Sequence, residues 1–293
     1  MPRAGIVTVA GRPNAGKSTL LNRLVGERLS IVTPKAQTTR DRVVGIRTTG
    51  DAQMVVFDTP GLLQPRYALQ RAMREVALTA IDDADVILYL ADATDGVPTP
   101  LQQAADLPKP PSAPVLTVLN KVDLLDVAER ERLAQALPEA RFISATTGDG
   151  VEELVRELEA RLPESPFLYP EDEISTQTVR FFVSELVRET ALELLEEEVP
   201  YSLACEVEEF REERTPVYIR AVLYVERESQ KRILIGAKGQ QIREIGKRAR
   251  AKIEAFVGTA VYLDLWVKVL ANWRKNPRAM QRFGYRLLED HRS

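Results

Sequence analysis

The sequence predicts two domains in series: a larger α/β domain with a mostly parallel sheet and flanking helices, then a smaller α+β domain. Three observations carry this. Short β-branched runs alternate with longer helical patterns through the first half, as a parallel sheet with crossover helices reads. A glycine-rich segment follows the first of these runs and opens a helical pattern. After Leu162 come Pro163, Pro166 and Pro170 among acidic residues, then Ser175 and Thr176, a composition suited to an extended linker. The 293 residues suffice for two domains, since domains usually run to about 100–200 residues.

In order, the first half predicts strands at 5–10, 54–58, 86–91, 115–120 and 141–144, with 41–49 as an edge strand. Helical spacing covers 17–25, 67–80, 127–136 and 151–162. The domains are expected at 1–165 and 177–293, joined by a linker at 166–176. In the second, 178–198 carries the stripe Val179, Phe182, Val183, Leu186, Val187, Leu194 and Leu195 of an amphipathic helix. Strands at 203–210 and 217–225, a short helix, a Gly-x-x-Gly turn, a basic helix at 240–256 and a strand at 261–269 complete it.

Composition excludes several classes. With 44% hydrophobic and 28% charged residues, the chain reads as globular, and no stretch approaches the roughly 20 apolar residues of a membrane span. The amino terminus runs from Met1 straight into a strand pattern, without signal-peptide regions, so a cytoplasmic protein is expected. A single cysteine, Cys205, excludes an internal disulfide or thiolate zinc cage and reads as a packing residue. His291 is the only histidine, which argues against histidine catalysis. The net charge of -3 gives no overall pull toward nucleic acid. A local basic run exists at Lys231, Arg232, Lys238, Arg243, Lys247, Arg248, Arg250 and Lys252, with Glu244 as its main opposing charge.

The strongest motif is Gly11-Arg12-Pro13-Asn14-Ala15-Gly16-Lys17-Ser18, a full P-loop between strand and helix, with Thr19 following. Glycines let the backbone wrap an anion, so that successive N–H groups and the helix terminus face phosphates. Lys17 is expected on the β- and γ-phosphates and Ser18 on magnesium. The base is chosen by Asn120-Lys121-Val122-Asp123 at a strand end, where ligands of such sheets bind. Asp123 can accept from both donors on the guanine edge, a pair adenine lacks. A buried carboxylate left without them would be costly, which supports discrimination by roughly 10⁴. Asn120 can hold the base and neighbouring loops, and the Lys121 stem can cover the ring. Ser144-Ala145-Thr146 adds backbone N–H groups for the guanine oxygen.

Asp58-Thr59-Pro60-Gly61, followed by Leu62, matches a γ-phosphate sensor. Asp58 would hold magnesium through water, and the Gly61 N–H would meet the γ-phosphate only in the triphosphate state. In Gln37-Thr38-Thr39-Arg40-Asp41, Thr39 is assigned as the second hydroxyl ligand of magnesium, with Thr38 the alternative.

These motifs resemble those of translation-factor-related GTPases, and nearly the whole chain resembles the Era family. Leu62 stands where Ras-like proteins place a water-orienting glutamine. In related GTPases with a hydrophobic residue there, an asparagine placed like Asn14 can ligate potassium near the phosphates; the alternative is that Asn14 shapes the loop. Lys17, Thr39, Gly61 and Asn14 are thus the catalytic candidates, and slow intrinsic hydrolysis is expected.

Ile235-Gly236-Ala237-Lys238-Gly239-Gln240 lies where a KH domain carries its Gly-x-x-Gly loop, and the element order resembles type II KH domains. Ile233, Ile235 and Ile242 can line a groove for bases. Arg243, Lys247 and Arg250 on the following helix join the RNA-binding candidates. Trp273 reads either as a stacking platform or as a hydrophobic anchor. The resemblance implies a monomeric GTP-dependent assembly factor for the small (30S) ribosomal subunit that binds the 3′ end of 16S rRNA. It also admits peripheral contact with the cytoplasmic membrane face. Competing classes are a signalling or membrane-surface GTPase whose second domain binds protein, and a P-loop metabolic kinase.

Overall fold

The computed structural model describes residues 1–35 and 37–287; His291 lies outside them. The chain divides into two compact units, one of Met1–Arg66 and Gln70–Thr176, the other of Tyr67–Leu69 and the chain from Gln177 on.

The first unit runs β1 (Arg3–Ala10), α1 (Lys17–Val25), β2 (Val43–Thr49), β3 (Ala52–Asp58), α2 (Ala68–Asp82), β4 (Val86–Asp92), α3 (Leu101–Ala104), β5 (Val115–Asn120), α4 (Val127–Ala136), β6 (Arg141–Phe142) and α5 (Val151–Arg161). The sheet order is β2-β3-β1-β4-β5-β6, with β2 antiparallel to β3 and every other pair parallel. Central strands of a sheet covered on both faces need apolar side chains on both, and Val7, Val9, Ile87, Leu88, Leu90, Val118 and Leu119 are wholly buried. Because β1, β3 and β5 run parallel, the residues that leave their carboxyl ends gather at one edge. The 141–144 strand is shorter than predicted. After two paired residues, Ile143 N still donates to Leu119 O (2.8 Å), but Ser144 N turns away to Asp149 O (2.9 Å).

The proline-rich segment is extended but not a free spacer. Ser165 N donates to Pro2 O (3.1 Å), and Ile46 N of β2 donates to Ile174 O (2.9 Å). Ser175 Oγ donates to Val44 O at 2.5 Å. The buried Gln53 of β3 accepts from Leu168 N and Tyr169 N at 2.8 and 3.0 Å and donates to Tyr169 O at 2.9 Å.

The second unit holds α6 (Val179–Leu194), α7 (Val199–Ser202), β7 (Ala204–Arg211), β8 (Val217–Val225), α8 (Glu228–Ile235), α9 (Gln240–Val257), β9 (Val261–Val269) and α10 (Pro277–Arg282). Its sheet is β7-β8-β9, the first pair antiparallel and the second parallel. On β8, Val217, Ile219, Ala221, Leu223 and Val225 alternate onto the helix-covered face and pack with Val183, Val187, Ile245, Ala249 and Ile253. Burying one such aliphatic side chain contributes about 1.5–3 kcal/mol. The helix predicted at 178–198 ends at Leu194, and a second short helix, α7, follows beyond the predicted span. Thr178 Oγ1 caps the first by accepting from Phe181 N, and Leu195 and Glu197 leave the helical region, Glu197 at φ 55°. Three successive glutamates would put negative charge at the negative end of the α6 dipole, and Pro200 fits the first turn of α7, where no N–H is needed. Cys205 packs half-buried against this core, and burial pushes its thiol up, away from the reactive thiolate.

Candidate nucleotide and RNA sites

The 11–18 loop joins β1 to α1. Its Gly16 sits at φ 95°, where a Cβ would lie 2.2 Å from Asn120 Nδ2. A Cβ at Gly61 would lie 2.7 Å from Pro13, so both glycines serve close approach, and Gly16 a left-handed conformation as well. Leu62 N donates to Gly11 O at 2.9 Å and Thr59 Oγ1 to Val9 O at 2.9 Å, which ties the 58–62 segment to the loop. The loop borders an open cleft of about 400 Å³ lined in part by Asn14, Lys17, Ser18, Thr19, Thr39 and Gly61.

Three of the predicted magnesium ligands converge there. Asp58 Oδ2 accepts from Ser18 Oγ at 2.7 Å and from Thr39 Oγ1 at 3.2 Å, and the two hydroxyls lie 3.0 Å apart. Asp58 Oδ1 is buried with no hydrogen-bond partner among the described residues. Two hydroxyls and a carboxylate with an orphaned oxygen are the hard oxygen donors magnesium takes, so the residues fit it. Burial raises the Asp58 pKa, against the pull of Lys17 and the hydroxyls. Burial likewise lowers Lys17 to about 8, with Asp58 opposing, while Lys17 Nζ donates to Arg12 O at 2.9 Å. Asn14 is exposed at φ 64°, and its Nδ2 donates to Pro34 O at 3.3 Å. Leu62 is buried among Ala77, Ile81, Ile87 and Leu101, away from solvent.

The buried Asn120 joins two loops: Nδ2 donates to Ala15 O and Oδ1 accepts from Ala145 N, both at 2.8 Å. Lys121 turns the chain at φ 69° and pairs with Asp92. Asp123, expected to be buried, is exposed in the turn Val122–Leu124, while Val122 packs into the core. Asp123 stands beyond the strand end, with its carboxylate in solvent. Sequence reasoning missed Asn22, whose Oδ1 accepts from Leu29 N (2.9 Å) and Ser30 N (2.8 Å), and Arg23, which donates to the carbonyls of Ala145 and Thr146. The first signal was local, an asparagine seven residues before a turn; the second spans 122 residues and leaves no trace in spacing.

In the second unit the Gly236 to Gly239 turn links α8 to α9. Gly236 lies at φ 72° and Gly239 at φ 74°, and a Cβ on Gly236 would press 2.7 Å from Gln241 Cβ. Ala237, Lys238 and Gln240 are exposed, and Ile235 is half-buried. No side chain caps the start of α9, although its first N–H, that of Gln240, is taken by Ala237 O; the positive dipole end of the helix faces this turn. Arg243 folds back onto the loop, with Nε donating to Gly239 O at 3.1 Å and Nη2 to Lys238 O. Lys247 and Arg250 are exposed. The basic run is more neutralised than Glu244 alone suggested. Lys252 bonds Glu189 and Glu193 of α6 at 3.0 and 2.7 Å, and Arg248 pairs with Glu244 at 2.6 Å. Trp273 is the anchor: fully buried, it donates to Ser202 O at 2.8 Å and packs against Phe283 and Tyr285.

Among the described residues no helix is long and apolar enough to cross a membrane. A family model described as 50S ribosome-binding GTPase matches residues 6–121, and a KH domain model matches residues 198–274. The GTPase Era of Carboxydothermus hydrogenoformans is 41% identical over 97% of this chain and 98% of its own length. That of Aquifex aeolicus is also 41% identical, over 97% of this chain and all of its own. A crystal structure of an Aquifex aeolicus Era variant bound to GDP·AlF4− superposes with a TM-score of 0.90, at 40% identity over 97% of this chain and 100% of that one. Another, of Era with MgGDPNP and nucleotides 1506–1542 of 16S ribosomal RNA, gives 0.91 at 40% identity over 98% of this chain and 100% of that one. A P-loop cluster on a parallel sheet, a KH-type second unit and relatives alike across both make this chain a GTPase of the Era family.

Proposed function

We propose that this chain is a GTP-dependent assembly factor for the small ribosomal subunit, capturing the 3′ end of 16S rRNA in its GTP state and releasing it after hydrolysis. The observation that carries the reading is the pairing, in one chain, of the Lys17–Ser18–Thr39–Asp58 cluster with an exposed glycine loop at the head of a basic helix. The Era structure containing 16S rRNA nucleotides supports it, at 40% identity.

In this reading Lys17 holds its ammonium against the β- and γ-phosphates, and backbone N–H groups of the 11–18 loop take the remaining oxygens. Asp123 accepts from the ring N–H and the amine of guanine. Asn120 holds the phosphate loop and the 144–146 loop in register beneath it. Ser18, Thr39 and Asp58 would hold magnesium, which when bound neutralises charge on the phosphates. Gly61 donates its N–H to the γ-phosphate, so its segment loses a bond on hydrolysis. Leu62 cannot orient a water. Asn14 is assigned to potassium instead: with Nδ2 donating to Pro34 O, its side-chain carbonyl oxygen would be the atom to ligate the cation.

RNA capture is coupled to nucleotide reciprocally: if GTP tightens RNA binding, RNA tightens GTP binding by the same factor. The test is a titration with an RNA bearing the 16S 3′ end and with a shuffled control, each in GTP analogue and in GDP. Tighter binding of the authentic RNA in the GTP-analogue state is expected. Equal, purely salt-governed binding of both RNAs would instead favour the protein-binding reading of the second unit.

A further inference from the structure

We infer that Arg23 is a positioning residue for the loop that separates a 6-oxo purine from a 6-amino one, an inference that rests on the guanine-nucleotide reading above. Arg23 lies in the last turn of α1. Its guanidinium spans 122 residues of sequence to donate to two successive carbonyls, Nε to Ala145 O at 2.5 Å and Nη2 to Thr146 O. Gly148, at φ 98°, leaves the space: a Cβ there would sit 3.0 Å from Arg23 Nη1.

The amides of this turn can be followed one by one. Ser144 N donates to Asp149 O and Gly148 N to Ser144 O. Ala145 N donates to Asn120 Oδ1, Thr147 N to Ser144 Oγ and Asp149 N to Thr147 Oγ1. In this run only the Thr146 N–H has no acceptor among the described residues. A trans peptide points its C=O and N–H in opposite directions. When Arg23 draws the Ala145 carbonyl toward α1, it turns the Thr146 N–H of the same peptide away from α1. Its second bond, to Thr146 O, fixes the next peptide and closes off rotation.

A backbone N–H is a donor only. It pairs with a 6-oxygen and opposes a 6-amino group, which is also a donor. Asp123 reads the donor edge of the base, and Arg23 aims the group that reads the acceptor side. Holding two carbonyls at once takes the planar fork of arginine, which the single ammonium of lysine does not reproduce.

The experiment uses the full chain and three diphosphates: GDP, ADP and 2-aminopurine riboside diphosphate, which keeps the 2-amine but has neither the 6-oxygen nor the ring N1–H, so each variant is compared with the parent on the same nucleotide. Arg23→Ala should lose about tenfold in GDP affinity, the worth of one well-aimed hydrogen bond, with less than about twofold change for the 2-aminopurine nucleotide. Arg23→Lys should recover only part of the preference, and its comparison with the parent stands alone if Arg23→Ala melts early by circular dichroism. Equal losses for GDP and the 2-aminopurine nucleotide would mean a merely structural contact and overturn the inference, as would no loss in either. A parent chain that binds ADP as tightly as GDP overturns the guanine reading and the inference with it. A parent that prefers GDP, with variants whose preference is unchanged, overturns the inference alone.

Discussion

The two glycine loops of this chain place their chemistry differently. The groups proposed for the nucleotide around the 11–18 loop are buried, with Lys17, Asp58 and Asn120 all but inaccessible and bonded to one another's neighbours. Those proposed for RNA around the 236–239 loop, Ala237, Lys238 and Gln240, are exposed, on a turn whose main demand is its glycines. A site made of buried polar groups is also part of what holds its unit together, so function and stability move jointly on mutation. A surface loop on a finished core can lose function and keep its fold.

The largest expected effect tests the exception within the first site, the exposed Asp123. Asp123→Asn should weaken GTP by about 10³-fold or more and shift preference to xanthosine triphosphate, whose base swaps a donor for an acceptor. The melting temperature should not change. Calorimetric titration with both nucleotides checks this, and an unaltered GTP affinity would remove Asp123 from the site.

Lys17 sharpens the contrast from the buried side. Its folded pKa, about 8, lies below the ordinary 10.5. Between these values the unfolded chain binds the extra proton, so stability rises with pH across that window, whereas below about 8 the burial cost is present in full. For nucleotide-free protein, the stability of the parent relative to Lys17→Met should therefore improve by about 1–3 kcal/mol from pH 7 to pH 10. Denaturant unfolding of the first unit at both pH values measures it. A gap independent of pH would mean that Lys17 is not desolvated.

On the surface loop, replacing Ala237 and Lys238 together by Asp puts two carboxylates where phosphate must approach. At least about tenfold loss of affinity for RNA bearing the 16S 3′ end is expected, or about 1.4 kcal/mol. GTP affinity and circular dichroism should stay as in the parent. Undiminished RNA binding would reduce Gly236 to Gly239 to a turn. The smallest effect concerns Asn14: hydrolysis should run a few-fold faster in potassium than in sodium at equal ionic strength, and Asn14→Ala should erase the difference. Equal parental rates in both salts would exclude the cation.

What was legible in the sequence divides along physical lines. Strands and helices of the first unit show in period and punctuation because each is set by its own residues and their burial. The Ser18–Thr39–Asp58 convergence was legible because a motif names its chemistry, even with Ser18 and Asp58 40 positions apart. Arg23 was not, since an arginine in a last helical turn looks the same whether or not it reaches another loop. Lys252 is hidden for the same reason: its partners Glu189 and Glu193 belong to another helix. Trp273 is ambiguous until its surroundings are known, because an indole suits both a base and a core. The break after Leu194 is written as three glutamates before a proline, a local signal that the apolar stripe on either side of it outweighs.

The tethering of residues 168–175 to β2 and Gln53 has a practical side. An outermost strand with open N–H and C=O groups is a template for pairing with another chain; here the outward N–H of Ile46 and the carbonyl of Val44 are already taken. Cutting the chain at residue 165, where the composition invites it, would bare that strand and remove both donors to the Gln53 side-chain oxygen, while its Nε2 keeps Thr48 Oγ1; a polar group left buried and unmet costs about 1–3 kcal/mol. A fragment that runs on to Thr176 carries its own guard, and is the one expected to stay monomeric and dispersed at high concentration.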